Sequence, residues 1–152
     1  MLQYDFEESI GFWLARAWNA YERVLNAELT PRGITVRQAQ VLGCLAFEGD
    51  LSQVELAERM KVEPPTLVGI LDRMERDGWI IRLDCPFDRR KKIIRPTVQA
   101  EPIWTEIVEV ATRVRARAVE GLSPDQVSYF KGLLETVEKN LSAGNPTEEH
   151  VS

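Results

Sequence analysis

The sequence predicts a mainly α-helical fold with one small β wing, a winged helix-turn-helix flanked by further helices, and three observations predict it. Apolar residues recur at spacings of three and four along most of the chain, the periodicity of helices that bury one face. Between Leu51 and Gly78 two short helical segments are separated by only a few residues, which forces one helix steeply across the other. After them, WIIRLDCPFDRRKKIIRPT holds two β-prone runs, Trp79 to Leu83 and Ile93 to Arg95, around a turn that contains Pro86 and Asp88.

Taken in order, residues 5–28 place Phe6, Ile10, Trp13, Leu14, Ala17, Trp18, Tyr21 and Leu25 on one broad apolar face, larger than a solvent-facing helix carries. Core and dimer packing is the plain reading of that face. The sharper reading is a pocket for a small aromatic ligand, with Trp13, Trp18 and Tyr21 as its candidate residues. Thr30, Pro31 and Gly33 interrupt the pattern, and Thr35 then caps a helix over VRQAQVLGCLAFEG that stops at Gly49. Arg37 and Gln38 lie near its start, where a positive dipole end and free amides favour a phosphate. A short extended piece at Asp50 and Leu51 is expected to pair with the wing as a third strand.

Ser52 and Glu55 stand three apart as a capping box, so a helix begins near Ser52. A four-residue connection containing Lys61 and Val62 leads to a second helix, opened by Pro64 and Pro65, striped by Leu67, Ile70, Leu71 and Met74, and closed on Gly78. In this arrangement the second helix is the one that enters a DNA major groove. Opposite its apolar stripe, Pro65, Thr66 and Gly69 are expected to face the groove. Thr66 would hydrogen-bond or touch a thymine methyl, and Gly69 would permit close approach. Arg73, one turn on, is placed to reach phosphate or a base, and Ser52 and Gln53 are further phosphate candidates.

Beyond the wing, Thr97 is expected to cap a helix to about Glu120, with Ile103, Ile107, Val110 and Val114 as one seam, Pro102 bending its early part and Gly121 as its stop. The tetrapeptide SPDQ at 123–126 combines an N-cap, a first-turn proline and a capping-box glutamine. It announces a last helix to about Leu141, striped by Phe130, Leu133, Leu134, Val137 and Leu141, with a frayed tail over 143–152.

At 152 residues the chain fits one domain with a substantial core. Its net charge of -5 argues superficially against a polyanionic partner, but the charge is unevenly spread. Leu51 to Gln99 holds ten Lys and Arg against eight Asp and Glu, and the remainder nine against sixteen. Arg82 to Arg95 alone holds six basic and two acidic residues, a concentrated patch of the kind that contacts phosphates. A merely solvated hairpin tip is the bland alternative. The only histidine, His150, lies in the tail, and no Cys/His cluster, glycine-rich phosphate loop or nucleophile motif occurs, so no enzyme, metal or cofactor is expected. Cys44, among Val41, Leu42 and Leu45, reads as a small buried hydrophobe. Cys85 sits beside basic residues on a turn, where partial thiolate character is conceivable. Without a signal peptide or a long apolar run, a cytoplasmic protein with no membrane contact is expected.

The capped helix, the second helix ending at Asp77-Gly78 and the wing motif DRRKKIIRPT together resemble the winged helix-turn-helix of the MarR family. EPPTLVGILDRME with CPFDRRKKIIRPT is similar to its SlyA branch. The resemblance implies a transcription regulator, most often a repressor, that binds double-stranded DNA as a homodimer on a pseudo-palindromic operator and is released by a small aromatic or phenolic ligand. It further implies that residues 5–28 and 98–142 form dimerisation helices around a DNA-binding part over 35–97. In the wing pattern the arginine at Arg90 reaches the minor groove while Asp88 steadies the turn and Thr97 closes it; Arg89, Lys91 and Lys92 then contact the backbone. Two positions depart from the pattern: Gly69, where SlyA relatives commonly carry a basic residue, and Pro96, where the family usually has leucine and where proline is expected to loosen the last strand. The competing readings are a winged-helix protein-interaction module without DNA binding, and a redox-responsive regulator that uses Cys85.

Overall fold

The computed structural model describes residues 3–143; most of the expected frayed tail, with His150, lies outside the described residues. In chain order the elements are α1 (Ile10–Leu29), a short 3-10 turn (Thr30–Arg32), α2 (Val36–Glu48), β1 (Leu51–Ser52), α3 (Gln53–Met60), α4 (Pro64–Arg76), β2 (Ile80–Asp84), β3 (Lys92–Pro96), α5 (Ala100–Ala118) and α6 (Pro124–Ser142). The chain divides after Val114 into two compact units.

Three helices begin on reciprocal capping boxes, in which a hydroxyl takes the N–H three residues on and that residue's side chain returns to the cap's own N–H. They are Thr35 with Gln38, Ser52 with Glu55, and Ser123 with Gln126. Helix α1 starts later than residue 5, because Asp5 turns the chain by accepting from the N–H groups of Glu7 and Glu8, and Ser9 then caps the helix proper. The connection between α3 and α4 is Lys61 to Glu63, one residue shorter than expected, with Lys61 at φ 51 ending α3 in the left-handed region.

The first unit has one continuous core. Leu56, Leu67, Leu71 and Met74 from α3 and α4 are fully buried, and Leu29, Val41, Ile80, Ile94 and Val110 join them from α1, α2, the sheet and α5. The end of α1 and the Ile107, Val110, Val114 seam of α5 are part of the core that holds α3, α4 and the wing, together the reading head. The three strands pair antiparallel in the order β1-β3-β2, with Leu51 opposite Ile94 and Ile80 opposite Pro96. The third strand is Leu51–Ser52, one residue later than expected, and Pro96 stays within β3, at the strand end where a missing N–H is tolerated.

Thr97 does not cap α5. Its hydroxyl donates to the Gly78 carbonyl and its N–H to the Trp79 carbonyl, so it fastens the end of the wing to the end of α4. Gly78 is suited to that junction because its φ of 79 lies in the left-handed region that favours glycine. Pro102 occupies the first turn of α5, where its missing N–H has no helical partner to lose. In the second unit α6 runs to Ser142 and buries none of its residues.

Candidate nucleic-acid interface

Helix α4 turns Leu67, Ile70, Leu71 and Met74 into the core, which leaves Pro65, Thr66, Val68, Asp72, Arg73 and Arg76 outward with Gly69 half-buried among them. The double proline shapes its start. Pro64 and Pro65 lack N–H groups, and the amides of Thr66 and Leu67 both return to the Glu63 carbonyl at 3.0 and 3.2 Å. The end of α4 thus offers two rigid rings and the Thr66 side chain, not the cradle of free amides that binds an anion. A Cβ added to Gly69 would meet nothing within 4 Å, so internal packing does not require glycine there. Val68 went unnoticed in the sequence because it sits beside Leu67; only the helix phase separates a core residue from an outward methyl surface.

The wing is less uniformly basic than its sequence. Arg82 has little exposed side chain and binds Asp72 at 2.7 Å and Glu75 at 2.6 Å, which ties β2 to α4. Lys92 pairs with Asp84 and Arg95 with Asp50. These three cations fix the hairpin in place. At the tip Arg89, Arg90 and Lys91 are all exposed; Arg90 pairs only with Asp88 of its own turn, and Arg89 and Lys91 make no ion pair among the described residues. The tip is closed by the Cys85 N–H to the Lys91 carbonyl at 3.1 Å and by the Lys91 N–H to the Asp88 carbonyl at 2.9 Å. Asp88 accepts from the backbone N–H of Arg90 at 3.0 Å and from its guanidinium at 3.2 Å, and those bonds, with the charge of Lys91, hold its carboxyl below the ordinary range. Arg90 is thereby aimed outward with 92% of its side chain exposed.

Two expected phosphate contacts are withdrawn. Gln38 is 5% exposed and its amide oxygen is committed to the Thr35 N–H; Ser52 is 6% exposed and its hydroxyl takes the Glu55 N–H. Both are committed to capping boxes. Arg37 remains exposed, resting on Gln40 at 2.9 Å, and half-buried Gln53 lines an open groove of about 540 Å³ with Val54, Lys61, Glu63 and Pro64.

On α1, Trp18 and Tyr21 stack at 6.1 Å, while Trp13 donates its indole N–H to the Glu7 carbonyl at 2.8 Å. Trp13 and Trp18 point about 140° apart around the helix, since each residue advances about 100°. They do not converge on one pocket. Burial pushes the Cys44 thiol up, with Glu48 adding to the effect, which suits a packing role; Cys85 is half-buried at the base of the tip. Among the described residues no group of three or more His, Cys, Asp or Glu could hold a metal ion, and no helix is long and apolar enough to cross a membrane.

A helix-turn-helix whose wing carries an aspartate-aimed arginine is the arrangement of one known family, and the model for the MarR family matches residues 34–92, from the start of α2 to the start of β3. The chain contains a MarR-family domain. Solved MarR-family structures agree over nearly the whole chain. A cysteine-to-serine mutant of MarR from E. coli, complexed with operator DNA, is 27% identical with a TM-score of 0.77, covering 89% of this chain and 99% of that one. A transcriptional regulator of the MarR family from Rhodococcus sp. RHA1 is 25% identical with a TM-score of 0.79, covering 89% and 96%. BpsR of Bordetella bronchiseptica, whose DNA binding is regulated by 6-hydroxynicotinic acid, shares the fold at 23% identity and a TM-score of 0.77, covering 90% and 98%. The matched domain and the fold place this chain among transcription regulators and not among enzymes.

Proposed function

We propose that the protein is a sequence-specific regulator that binds double-stranded DNA as a homodimer, with α4 in the major groove and the wing tip along the adjacent minor groove of a pseudo-palindromic operator. The observation that carries this reading is the tip itself: Arg89, Arg90 and Lys91 are exposed, while Arg82 locks their hairpin to α4. Arg90 would read the narrow groove through its negative potential, and Arg89 and Lys91 would hold phosphate. Thr66, Val68 and Arg73 are the base-facing set on α4, and Arg37 and Gln53 contact the flanking backbone. The second copy docks through the exposed Phe130 and Leu133 stripe of α6 and the exposed half of α1 at Ile10 and Trp13. Repression, with release by a small aromatic or phenolic ligand, completes the reading; it is supported by BpsR, whose DNA binding 6-hydroxynicotinic acid regulates, and the Trp18–Tyr21 stack is the ligand candidate.

Binding of a duplex selected by the chain from a random-sequence pool tests it across salt concentrations. Replacing Arg89, Arg90 and Lys91 together with alanine is expected to weaken binding at least about a hundredfold, and to flatten its salt dependence by two to three units or about 0.9 per lost phosphate contact, with the circular dichroism unchanged. Undiminished binding by the variant removes the tip from the DNA interface, and no binding by the parent chain at any salt concentration favours the protein-interaction module.

A further inference from the structure

We infer that Phe87 is a DNA-contacting residue, an apolar wedge that the wing lays into the minor groove beside Arg90; the inference rests on the DNA-binding reading above. Phe87 is 97% exposed, the most exposed large hydrophobic side chain among the described residues. Single exposed apolar residues are common and need no partner. This one differs in where it is held. It stands between Pro86 and Asp88, inside the turn closed by Cys85, Asp88 and Lys91, and nothing of its own chain covers the ring. One residue on, Asp88 aims Arg90; two and four residues on stand Arg89 and Lys91.

A partner for that tip must present negative charge next to apolar surface. Two phosphate rails with deoxyribose and base edges between them have that pattern, and an aromatic ring with two torsions loses little freedom on entering. An anionic lipid surface has charge over apolar matter too, but surface binding draws on the wide apolar face of an amphipathic helix, and here one ring stands alone. Sequence inspection passes over Phe87 because a lone phenylalanine in a basic turn has no periodicity to betray it.

The test compares Phe87→Ala, Phe87→Leu and Lys91→Ala on the selected duplex. Phe87→Ala is expected to weaken binding about tenfold while leaving the slope of log affinity against log salt unaltered, since no phosphate contact is lost. Phe87→Leu should retain affinity within about threefold, because leucine keeps most of the apolar volume. Lys91→Ala serves as the contrast, lowering the slope by about one unit. Affinity unchanged in Phe87→Ala overturns the inference while leaving the DNA-binding reading intact, and a slope reduced as in Lys91→Ala overturns it in the same way. Binding of the parent to phosphatidylserine vesicles that Phe87→Ala abolishes, with duplex affinity unaltered, reassigns the ring to a lipid surface. A parent chain that binds no duplex removes both readings. The full exposure of the ring means that the two Phe87 variants should unfold at the parent's temperature.

Discussion

Helices α4 and α6 carry apolar stripes of the same period, yet one is spent within its own chain and the other is not. Helix α4 sends Leu67, Ile70, Leu71 and Met74 into a core that strands and helices close on every side. Helix α6 leaves Phe130 and Leu133 about half exposed and Leu141 more so, and buries no residue. Isolated helices of this length are marginal in water, and tertiary packing is what usually sustains them. The difference shows that an amphipathic pattern reports that a face will be covered, without reporting by which chain. In α4 the pattern explains the fold; in α6 it points to a second copy.

The largest effect that can break this comparison comes from making a comparable lesion in each stripe. Leu71→Ala should lower the free energy of unfolding by about 2–5 kcal/mol, because the site is fully enclosed and cannot collapse. That loss should not depend on protein concentration beyond the dependence of the parent. Leu133→Asp should act in the opposite manner: monomers in sedimentation at micromolar concentration, a steep fall in operator occupancy, and a well-folded first unit. If Leu133→Asp remains dimeric, α6 is not the seam between copies.

What the sequence made legible divides along the same line. Caps and stripes are local, so the ends of α2, α3 and α6 and the buried face of α4 could be read from spacings of three and four. Partners distant along the chain could not. Nothing near Arg95 announces Asp50, and nothing near Arg82 announces that Asp72 and Glu75 will take it, so the six basic residues of the wing looked like one patch. Three of them are structural. The same blindness placed Thr97 as a helix cap when its hydroxyl belongs to the Gly78 carbonyl, and it placed Gln38 at a phosphate although the Thr35-x-x-Gln38 spacing already announced a box. In α1 the spacing exposed an apolar face, but not that its far end would join the core while Trp13 and Trp18 stay half exposed.

A smaller effect separates the two faces of α4 itself. Gly69→Ala adds a methyl group into open space on an otherwise regular helix, so it should stabilise the chain by about 0.8–1 kcal/mol through backbone entropy and helix propensity. Thermal or urea unfolding reads that gain. Operator affinity reads something else: a loss means the α4 backbone approaches the bases closely enough for glycine to matter there, and unchanged affinity means that the groove-facing contacts are made by Thr66, Val68 and Arg73 alone.

The smallest effect concerns protons, and it again sets the reading head against α6. Their capping boxes differ in one atom type: Ser52 is answered by the carboxylate of Glu55, Ser123 by the amide of Gln126. Hydrogen bonds from the Ser52 hydroxyl, then from its N–H, hold the Glu55 carboxyl below its ordinary 4.5, and Lys91 and Arg59 add to the effect. A carboxyl whose folded value is depressed contributes stability that is present above the unfolded value and is lost as pH falls through the folded one. The start of α3 should therefore loosen in acid, below about pH 4.5, while the Ser123–Gln126 box itself holds no carboxyl to protonate. Amide exchange corrected for its intrinsic pH dependence should show protection of the Ser52 and Glu55 N–H groups falling over that range relative to Gln126. Glu55→Gln should remove the difference while leaving the cap formed. Parallel loss at both boxes in the parent chain would mean that acid acts through the whole molecule and not through this carboxyl.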